Sequence, residues 1–487
     1  MAGIGFQLRK LSRQDTLSSV IASVGHAAVI AAGPWLFTIL SLAAITLTTE
    51  RVAGLETLAA FRIVIIYAFA VSLVLTAPVT MIATRLVADA LWLKKPEAVR
   101  PLLLGAYAVA VLTTGIGSLL LIAYFQPPKT TAAALAAGSM LVGLIWVVLS
   151  FCGAVRDYQG VTLSFLAGLI VSVMASVSAA ILGAGSAGIA FGFLSGLTVT
   201  FFGLTWRVLA TFPQSVADPM QGLRALAAGI PDYWRLALGA LAGTAGVWID
   251  KWIFWFSPAG EQLSVGLFHA PLYDSAMFIS SLGIIPALSA FVMRLETDFF
   301  ERYQQYYATI SSHGTYGQIE EARSRMHAFT LDNLTLITIS QIGICAVLAL
   351  TAPLIIDALG LQFRQVAILR YGALGAVFQF IFIACSAMLL FFDRRRLYLG
   401  LQCAFLALMT GMTLISVRFG PDYYGAGYFL ACLVSGFVAY WLADRTFSNL
   451  NYLTFVGNNP SIKASSGLRR KSLFERLSAR WSQRRPG

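Results

Sequence analysis

Long apolar segments, each of a length that crosses a bilayer as a helix, recur along the whole chain. They are continuously apolar, as residues 132–155 illustrate, whereas the strands of a membrane β-barrel alternate over about ten residues. The pattern therefore predicts an all-α, polytopic membrane protein. Its twelve predicted helices lie near residues 20–48, 61–83, 101–125, 132–155, 161–183, 187–206, 236–257, 267–292, 330–356, 367–391, 398–417 and 425–443.

Composition agrees with this pattern and excludes a water-soluble fold. Of the 487 residues, 58% are hydrophobic and 11% are charged, whereas soluble domains carry about 25% charged residues. The five cysteines all lie in apolar segments, so we interpret them as small buried hydrophobes rather than disulfide partners. The first apolar segment is longer than the core of a signal peptide, and we expect it to be an uncleaved helix.

The distribution of positive charge indicates how the chain is oriented in the membrane. With the N-terminus placed in the cytoplasm, 27 of the 34 Lys and Arg residues fall on the cytoplasmic side. The positive-inside rule then predicts that both termini are cytoplasmic.

Two halves of six helices each are predicted. Each half gives a proline and then R-L-x-x-D at the end of its second helix: Pro78 before Arg85–Asp89, and Pro286 before Arg294–Asp298. Six helices per half make the repeats parallel, and such duplications are typical of transporters whose halves move around a central cavity. The predicted division is an N-terminal bundle at 1–206, a cytoplasmic linker at 207–235, a C-terminal bundle at 236–445 with a helical insert at 296–328, and a basic tail at 446–487.

Prolines within the predicted helices are hinge candidates. Pro34 follows Gly33 in the first helix and lacks the N–H group that the backbone ladder needs, so a kink is expected there. Pro78 and Pro286 are the hinge candidates of the second helix in each half. A kink that serves packing alone is the alternative.

Enzymatic motifs are missing from the sequence. Gly-Lys occurs nowhere, which excludes a P-loop, and no metal-ligand spacing or G-x-S-x-G elbow is present. The inner loops are too short for a catalytic domain. We therefore predict a protein that is not an enzyme and that uses no metal or cofactor.

Charged residues inside the predicted membrane segments are the strongest candidates for function, because burying them there is costly. Asp250 and Lys251 lie deep in the seventh helix, and Asp274 lies at a similar depth in the eighth. Successive helix residues point about 100° apart, so Asp250 and Lys251 are expected to face different partners. These residues could line a solute path, couple transport to protons, or form a structural ion pair such as Lys251 with Asp274. The candidates for the substrate path are Trp35, Arg62, Trp248, Asp250, Lys251, Trp252, Trp255 and Asp274, of which the tryptophans could instead form an interfacial belt.

Two cytoplasmic segments could bind partners. The insert is expected to form two helical pieces broken at His313–Gly314, with Phe299, Tyr303 and Tyr307 as docking candidates for a cytoplasmic enzyme or as packing residues. The tail can form a basic amphipathic helix on anionic lipid, or it can bind an acidic protein. Nucleic-acid binding is not expected.

Several segments resemble the PelG family of inner-membrane transporters of bacterial Pel exopolysaccharide systems. They are the opening MAGIGFQLRKL, Ala32–Trp35, Trp248–Pro258 and Arg294–Tyr303. The resemblance implies a branch of the multidrug, oligosaccharidyl-lipid and polysaccharide flippase superfamily, with two six-helix bundles around a cavity. It also implies export of a nascent polymer rich in N-acetylgalactosamine from cytoplasm to periplasm. The implied partners are a cytoplasmic glycosyltransferase and two further inner-membrane components, one of which senses cyclic di-GMP.

Three other functions stay open from the residues alone. The first is a cation-coupled flippase for drugs or lipid-linked oligosaccharides, which would need a titrating carboxylate such as Asp250. The second is an integral membrane glycosyltransferase, which the short loops disfavour. The third is a scaffold that holds a polysaccharide synthase in the membrane.

Overall fold

The computed structural model describes residues 37–155, 158–216, 218–294 and 298–457. The candidates Gly33, Pro34 and Trp35 lie outside the described residues, as does the basic tail from residue 458 onward.

The N-terminal half is a set of long helices joined by short connections. The first described helix, α1, covers residues 37–53. The others are α2 (Leu55–Trp92), α3 (Val99–Phe125, preceded by a 3₁₀ turn at Pro96–Ala98), α4 (Lys129–Val155), α5 (Tyr158–Ile181) and α6 (Gly185–Thr211).

The C-terminal half begins with a helix longer than a bilayer requires and continues with one small hairpin and a series of helices. They are α7 (Gln221–Trp255), β1 (Glu261–Gln262), β2 (Phe268–His269), α8 (Pro271–Leu282), α9 (Ile285–Arg294), α10 (Phe300–Ser311), α11 (Tyr316–Ala358), α12 (Gln365–Phe391), α13 (Arg395–Phe419), a 3₁₀ turn (Pro421–Tyr423), α14 (Ala426–Ser448), and short helical turns at Leu450–Tyr452 and Leu453–Gly457. The strands β1 and β2 are antiparallel, with Glu261 opposite His269.

The all-α membrane class is confirmed. Among the described residues, 10 helical segments are long and apolar enough to cross a membrane. Helix α7, which carries Asp250 and Lys251, is not one of them, and α1 is described only from residue 37. The full count of twelve and the internal repeat stay predictions.

Two helices start earlier than the sequence pattern predicts. Helix α7 begins at Gln221, so much of the predicted 207–235 linker is helical. Helix α11 begins at Tyr316 and continues without a break into the membrane segment predicted at 330–356. Its start is fixed by a capping box, in which the Thr315 and Gln318 side chains each bond the other residue's backbone N–H. Apolar periodicity misses such starts because the helix ends there are polar.

The predicted break in the insert is confirmed at its expected place. His313 adopts a left-handed backbone with φ 61° between α10 and α11. The second helical piece, however, is the cytoplasmic end of α11 rather than a separate helix.

The membrane segment that contains Pro286 is interrupted. Helix α8 ends at Leu282 and α9 starts at Ile285. A proline cannot donate to the preceding turn, so carbonyl groups there lose their helical partners. The Gln341 amide of α11 donates to the Gly283 carbonyl at 3.0 Å. A side chain of a neighbouring helix thus supplies a hydrogen bond to the interrupted backbone. Such partners are needed in a membrane because its core offers no water to the backbone groups.

Candidate functional site at the seam between the halves

Asp250 and Lys251 form an ion pair with each other. The Lys251 ammonium donates to both carboxylate oxygens of Asp250, at 2.9 and 3.0 Å. The Tyr273 hydroxyl of α8 donates to the same carboxylate at 2.7 Å. Asp250 itself is fully buried. The expectation that the two residues face different partners is therefore wrong, because the long Lys251 side chain bends back across the helix surface.

Asp274 is not the partner of Lys251 in this structure. Its Oδ2 oxygen accepts hydrogen bonds from Trp255 Nε1 at 2.8 Å and from the Ala270 backbone N–H at 2.9 Å. The carboxylate thus joins the end of α7 to the start of α8. Its Oδ1 oxygen is buried and has no hydrogen-bond partner among the described residues.

One face of α7 points toward the N-terminal half. Trp248, Lys251 and Trp255 share this face at spacings of three and four residues. The Trp255 ring stacks on the Tyr67 ring of α2, with centroids 4.5 Å apart. The Lys251 ammonium lies 6.0 Å from the centre of the Trp248 ring. Trp252 is partly buried against the same core.

Aromatic side chains close one end of the seam, and we call this group the hairpin closure. It consists of Tyr67, Phe125, Trp255, Phe256 and Phe268. The Tyr67 hydroxyl donates to the Phe268 carbonyl at 3.0 Å. The Phe125 ring lies 6.0 Å from Phe256 and 6.1 Å from Phe268, so the end of α3 packs against the segment that follows α7.

Polar side chains close the other end of the seam, and we call this group the charged closure. The Tyr233 hydroxyl of α7 donates to the Asp89 carboxylate of α2 at 2.5 Å. Arg85 donates to the Leu390 carbonyl of α12 at 3.1 Å. The Arg395 guanidinium lies 4.9 Å from the centre of the Tyr233 ring and donates to the Asp232 carbonyl. The R-L-x-x-D segment of the N-terminal half therefore makes contacts between the halves.

Arg62 and His269 lie near the hairpin closure. Arg62 is exposed on α2, whereas His269 is half-buried on β2. Burial lowers the pKa of His269, the facing Glu261 opposes this shift, and Arg62 adds to it. The neutral imidazole is therefore favoured.

The docking candidates of the insert are turned inward. Phe299 is 2% exposed and its ring lies 5.2 Å from Phe391. Tyr303 packs near Phe392, and Tyr307 packs on Tyr303 at 4.8 Å. Docking of a partner through these rings stays a prediction, although this structure uses them for packing. A polar groove of about 420 Å³ lies beside them, lined by Arg302, Gln305, Thr309, Ser312, Gln318, Glu321, Ala322 and Arg325.

Sequence reasoning found the charged residues of this region but missed their aromatic partners. Tyr67, Tyr233 and Tyr273 are single tyrosines that belong to no recognisable motif, and only the fold brings them to Trp255, Asp89 and Asp250. Among the described residues, no group of three or more His, Cys, Asp or Glu side chains could hold a metal ion.

The fold is similar to that of several solved membrane transporters. The chain is similar to an outward-facing multidrug resistance MATE family transporter of the MOP superfamily, with 17% identity and a TM-score of 0.59 over 88% of this chain and 96% of that one. A mutant of the Vibrio cholerae MATE transporter VcmN is similar at 13% identity and a TM-score of 0.59, over 91% and 96% of the two chains. A MOP-superfamily transporter from Pyrococcus furiosus is similar at 15% identity and a TM-score of 0.57, over 88% and 96%.

Sequence comparison identifies the family within this class. Residues 1–455 match the PelG family, described as "Putative exopolysaccharide Exporter (EPS-E)". The chain belongs to this family, and it is a multi-pass membrane transport protein. Comparison with curated proteins finds no match.

Proposed function

We propose that this protein exports a nascent, Pel-like exopolysaccharide across the bacterial inner membrane, along the seam between its two halves. The observation that carries the proposal is the family match over residues 1–455. The seam supports it, because tryptophan and tyrosine side chains with an apolar face and a polar tip suit a sugar chain that has both hydroxyl and C–H surfaces.

The direction and the partners belong to the same proposal. The distribution of Lys and Arg supports cytoplasmic termini, which places the hairpin closure on the periplasmic side and the charged closure on the cytoplasmic side. A cytoplasmic glycosyltransferase would supply the growing polymer, which the family resemblance implies is rich in N-acetylgalactosamine. Further inner-membrane components, including a cyclic di-GMP sensor, would regulate it.

Coupling to a cation at Asp250 is the less favoured mechanism. A cation-coupled flippase needs a carboxylate that is free to titrate or to bind the ion. Both oxygens of Asp250 already accept from Lys251, and one also accepts from Tyr273. The tethered ammonium occupies the place that a free cation would take.

A strain that lacks the protein and a complemented strain test the proposal. We expect secreted polymer only when the protein is present, with no build-up of lipid-linked oligosaccharide in the deleted strain. Accumulation of short saccharides on a lipid carrier would instead indicate a flippase. Polymer synthesis that stops in inverted vesicles from the deleted strain, although the glycosyltransferase is abundant, would instead indicate a scaffold.

A further inference from the structure

The loop between α7 and α8 is held at both ends by one carboxylate oxygen. Asp274 Oδ2 accepts from Trp255 Nε1 at the end of α7 and from the Ala270 N–H at the start of α8. Residues 256–269, which contain the β1–β2 hairpin, lie between these two donors. Asp274 therefore fixes the base of the loop and orients the Trp255 ring.

The hairpin rests directly on the backbone of the N-terminal half. Gly266 has a φ of 81°, and a Cβ atom there would lie 3.1 Å from the Phe125 carbonyl oxygen. The left-handed backbone favours glycine, and a Cβ atom at this distance would push against the Phe125 carbonyl. On strand β2, two residues further on, the Phe268 carbonyl accepts from Tyr67. The loop of one half thus covers the end of the seam formed with the other half.

Contacts at the two ends of the seam differ in kind. Across the seam, the hairpin closure consists of one neutral hydrogen bond and aromatic packing among the described residues, whereas the charged closure uses the charged side chains of Asp89 and Arg85. Aromatic contacts can re-form on a sugar chain that displaces them, since such rings bind both apolar and polar surfaces.

We propose that residues 256–270 form an exit gate at the hairpin end of the seam, and that Asp274 is its positioning residue rather than a substrate contact. A saccharide chain moving along the seam displaces the hairpin from Phe125 and Tyr67, and the Asp274 bonds return the loop to its closed position. The identity of the passing chain rests on the proposed function. The assignment of residues 256–270 as the part that closes the seam does not depend on it.

Cross-linking tests whether the gate must open. In a chain whose five cysteines are replaced, the pair F125C and F268C is bridged across the seam by a cleavable bifunctional thiol reagent. We expect secreted polymer to be lost when the bridge forms and to return when it is cleaved. The matched control pair, F378C and F437C, joins α12 to α14 within the C-terminal half, where the two rings lie 5.8 Å apart, and should leave export unchanged. Export that continues across the F125C–F268C bridge, or an equal loss with the control pair, would overturn the gate.

Thiol labelling tests the role of Asp274 without measuring transport. The reporter T244C lies on the α7 face shared with Lys251 and Trp255, roughly 16 Å below Trp255 at 1.5 Å per residue. A membrane-impermeant maleimide is applied to intact cells. Loss of the Asp274 bonds in D274L should speed labelling about tenfold, as expected when a charge-assisted hydrogen bond of more than about 1.4 kcal/mol is lost. The variant D274N keeps an oxygen that can accept from both donors but loses the charge, so its labelling should be clearly slower than that of D274L.

The two readouts separate the proposals. Fast labelling of the parent, or D274N labelling as fast as D274L, shows that Asp274 does not position a gate, whatever the cells export. If T244C is labelled slowly in the parent and a deletion strain secretes as much polymer as before, the gate stands. The proposed export function is then rejected.

Discussion

The two halves of the protein differ in what their interiors contain. In the described part of the N-terminal half, residues 37–211, the buried polar side chains are all Ser or Thr. The C-terminal half adds Asp250 and the four glutamines Gln341, Gln365, Gln379 and Gln402. The N-terminal hydroxyl groups bond mainly to the preceding turn of their own helix, as Thr76 does to Ser72. The glutamines instead reach other helices or the broken backbone beside them.

This difference indicates that the two halves are stabilised in different ways. In the N-terminal half, α5 and α6 approach so closely that a Cβ on Gly192 would lie 2.6 Å from the backbone N of Ser176. Small residues at such interfaces give the packing that drives helix association in membranes. In the C-terminal half, polar side chains support broken helices and a buried charge pair. The half with the polar interior is also the half that carries the hairpin.

Removal of Lys251 is expected to have the largest effect on stability. The change K251M leaves the buried Asp250 carboxylate without its counter-charge, which costs about 3–5 kcal/mol when a buried pair is broken. We expect an early thermal transition in detergent. The double variant D250N with K251M should recover most of the loss. A single K251M variant that melts like the parent would show that the pair is not structurally important.

Crowding of the α5–α6 interface should have the next largest effect on stability. A methyl group added in G196A would lie 2.2 Å from the Gly168 carbonyl oxygen and would force the helices apart. Overpacking of this kind costs about 1–3 kcal/mol. The control is G343A in α11, where no atom lies within 4 Å of the added Cβ, and where Ala should favour the helix by up to about 1 kcal/mol. Equal melting temperatures for the two variants would contradict the packing argument.

Replacing a buried glutamine in the C-terminal half should lower the free energy of unfolding more than replacing a buried hydroxyl group in the N-terminal half. The Gln365 amide donates to the Pro271 and Leu272 carbonyls and to Ser275 Oγ at 3.0–3.2 Å. The change Q365L leaves these acceptors unpaired, at about 1–3 kcal/mol. The change S172A removes one bond to the Phe193 carbonyl, at about 0.6 kcal/mol. Thermal unfolding of both variants measures the difference, and a larger loss in S172A would reverse the comparison.

Acidification should loosen the hairpin closure slightly. The pKa of His269 is lower in the folded protein than the value of about 6.5 in an unfolded chain. The unfolded state therefore binds more protons, and stability is complete above about pH 6.5 and falls as the pH drops below it. Because His269 is only half-buried, the effect should be less than about 1 kcal/mol. Thermal unfolding at pH 7.5 and 5.5 measures it, and H269Q should remove it. A pH response that persists in H269Q would assign it to another group.

The membrane-spanning class was predictable from the sequence because a bilayer imposes a length and an apolar composition on every helix that crosses it. The importance of Asp250, Lys251 and Asp274 was predictable for the same reason, since charge is costly there. The segment with Pro286 was singled out by its missing N–H group, and the structure breaks the helix at residues 283–284. The helix start at Gln221 and the continuity of α11 with the membrane segment after it were not found, because these stretches are polar and apolar periodicity does not extend into them.

The sequence by itself thus determined which side chains must find partners, and only the tertiary structure decided which partners they found. Asp250 bonds to its neighbour Lys251 because the ammonium can bend back along the helix, and Asp274 bonds to Trp255 because the loop from α7 returns to that point. The seam between Tyr67 and Trp255 joins residues from opposite halves of the chain. No local pattern encodes such a contact, since it depends on how the two halves pack together.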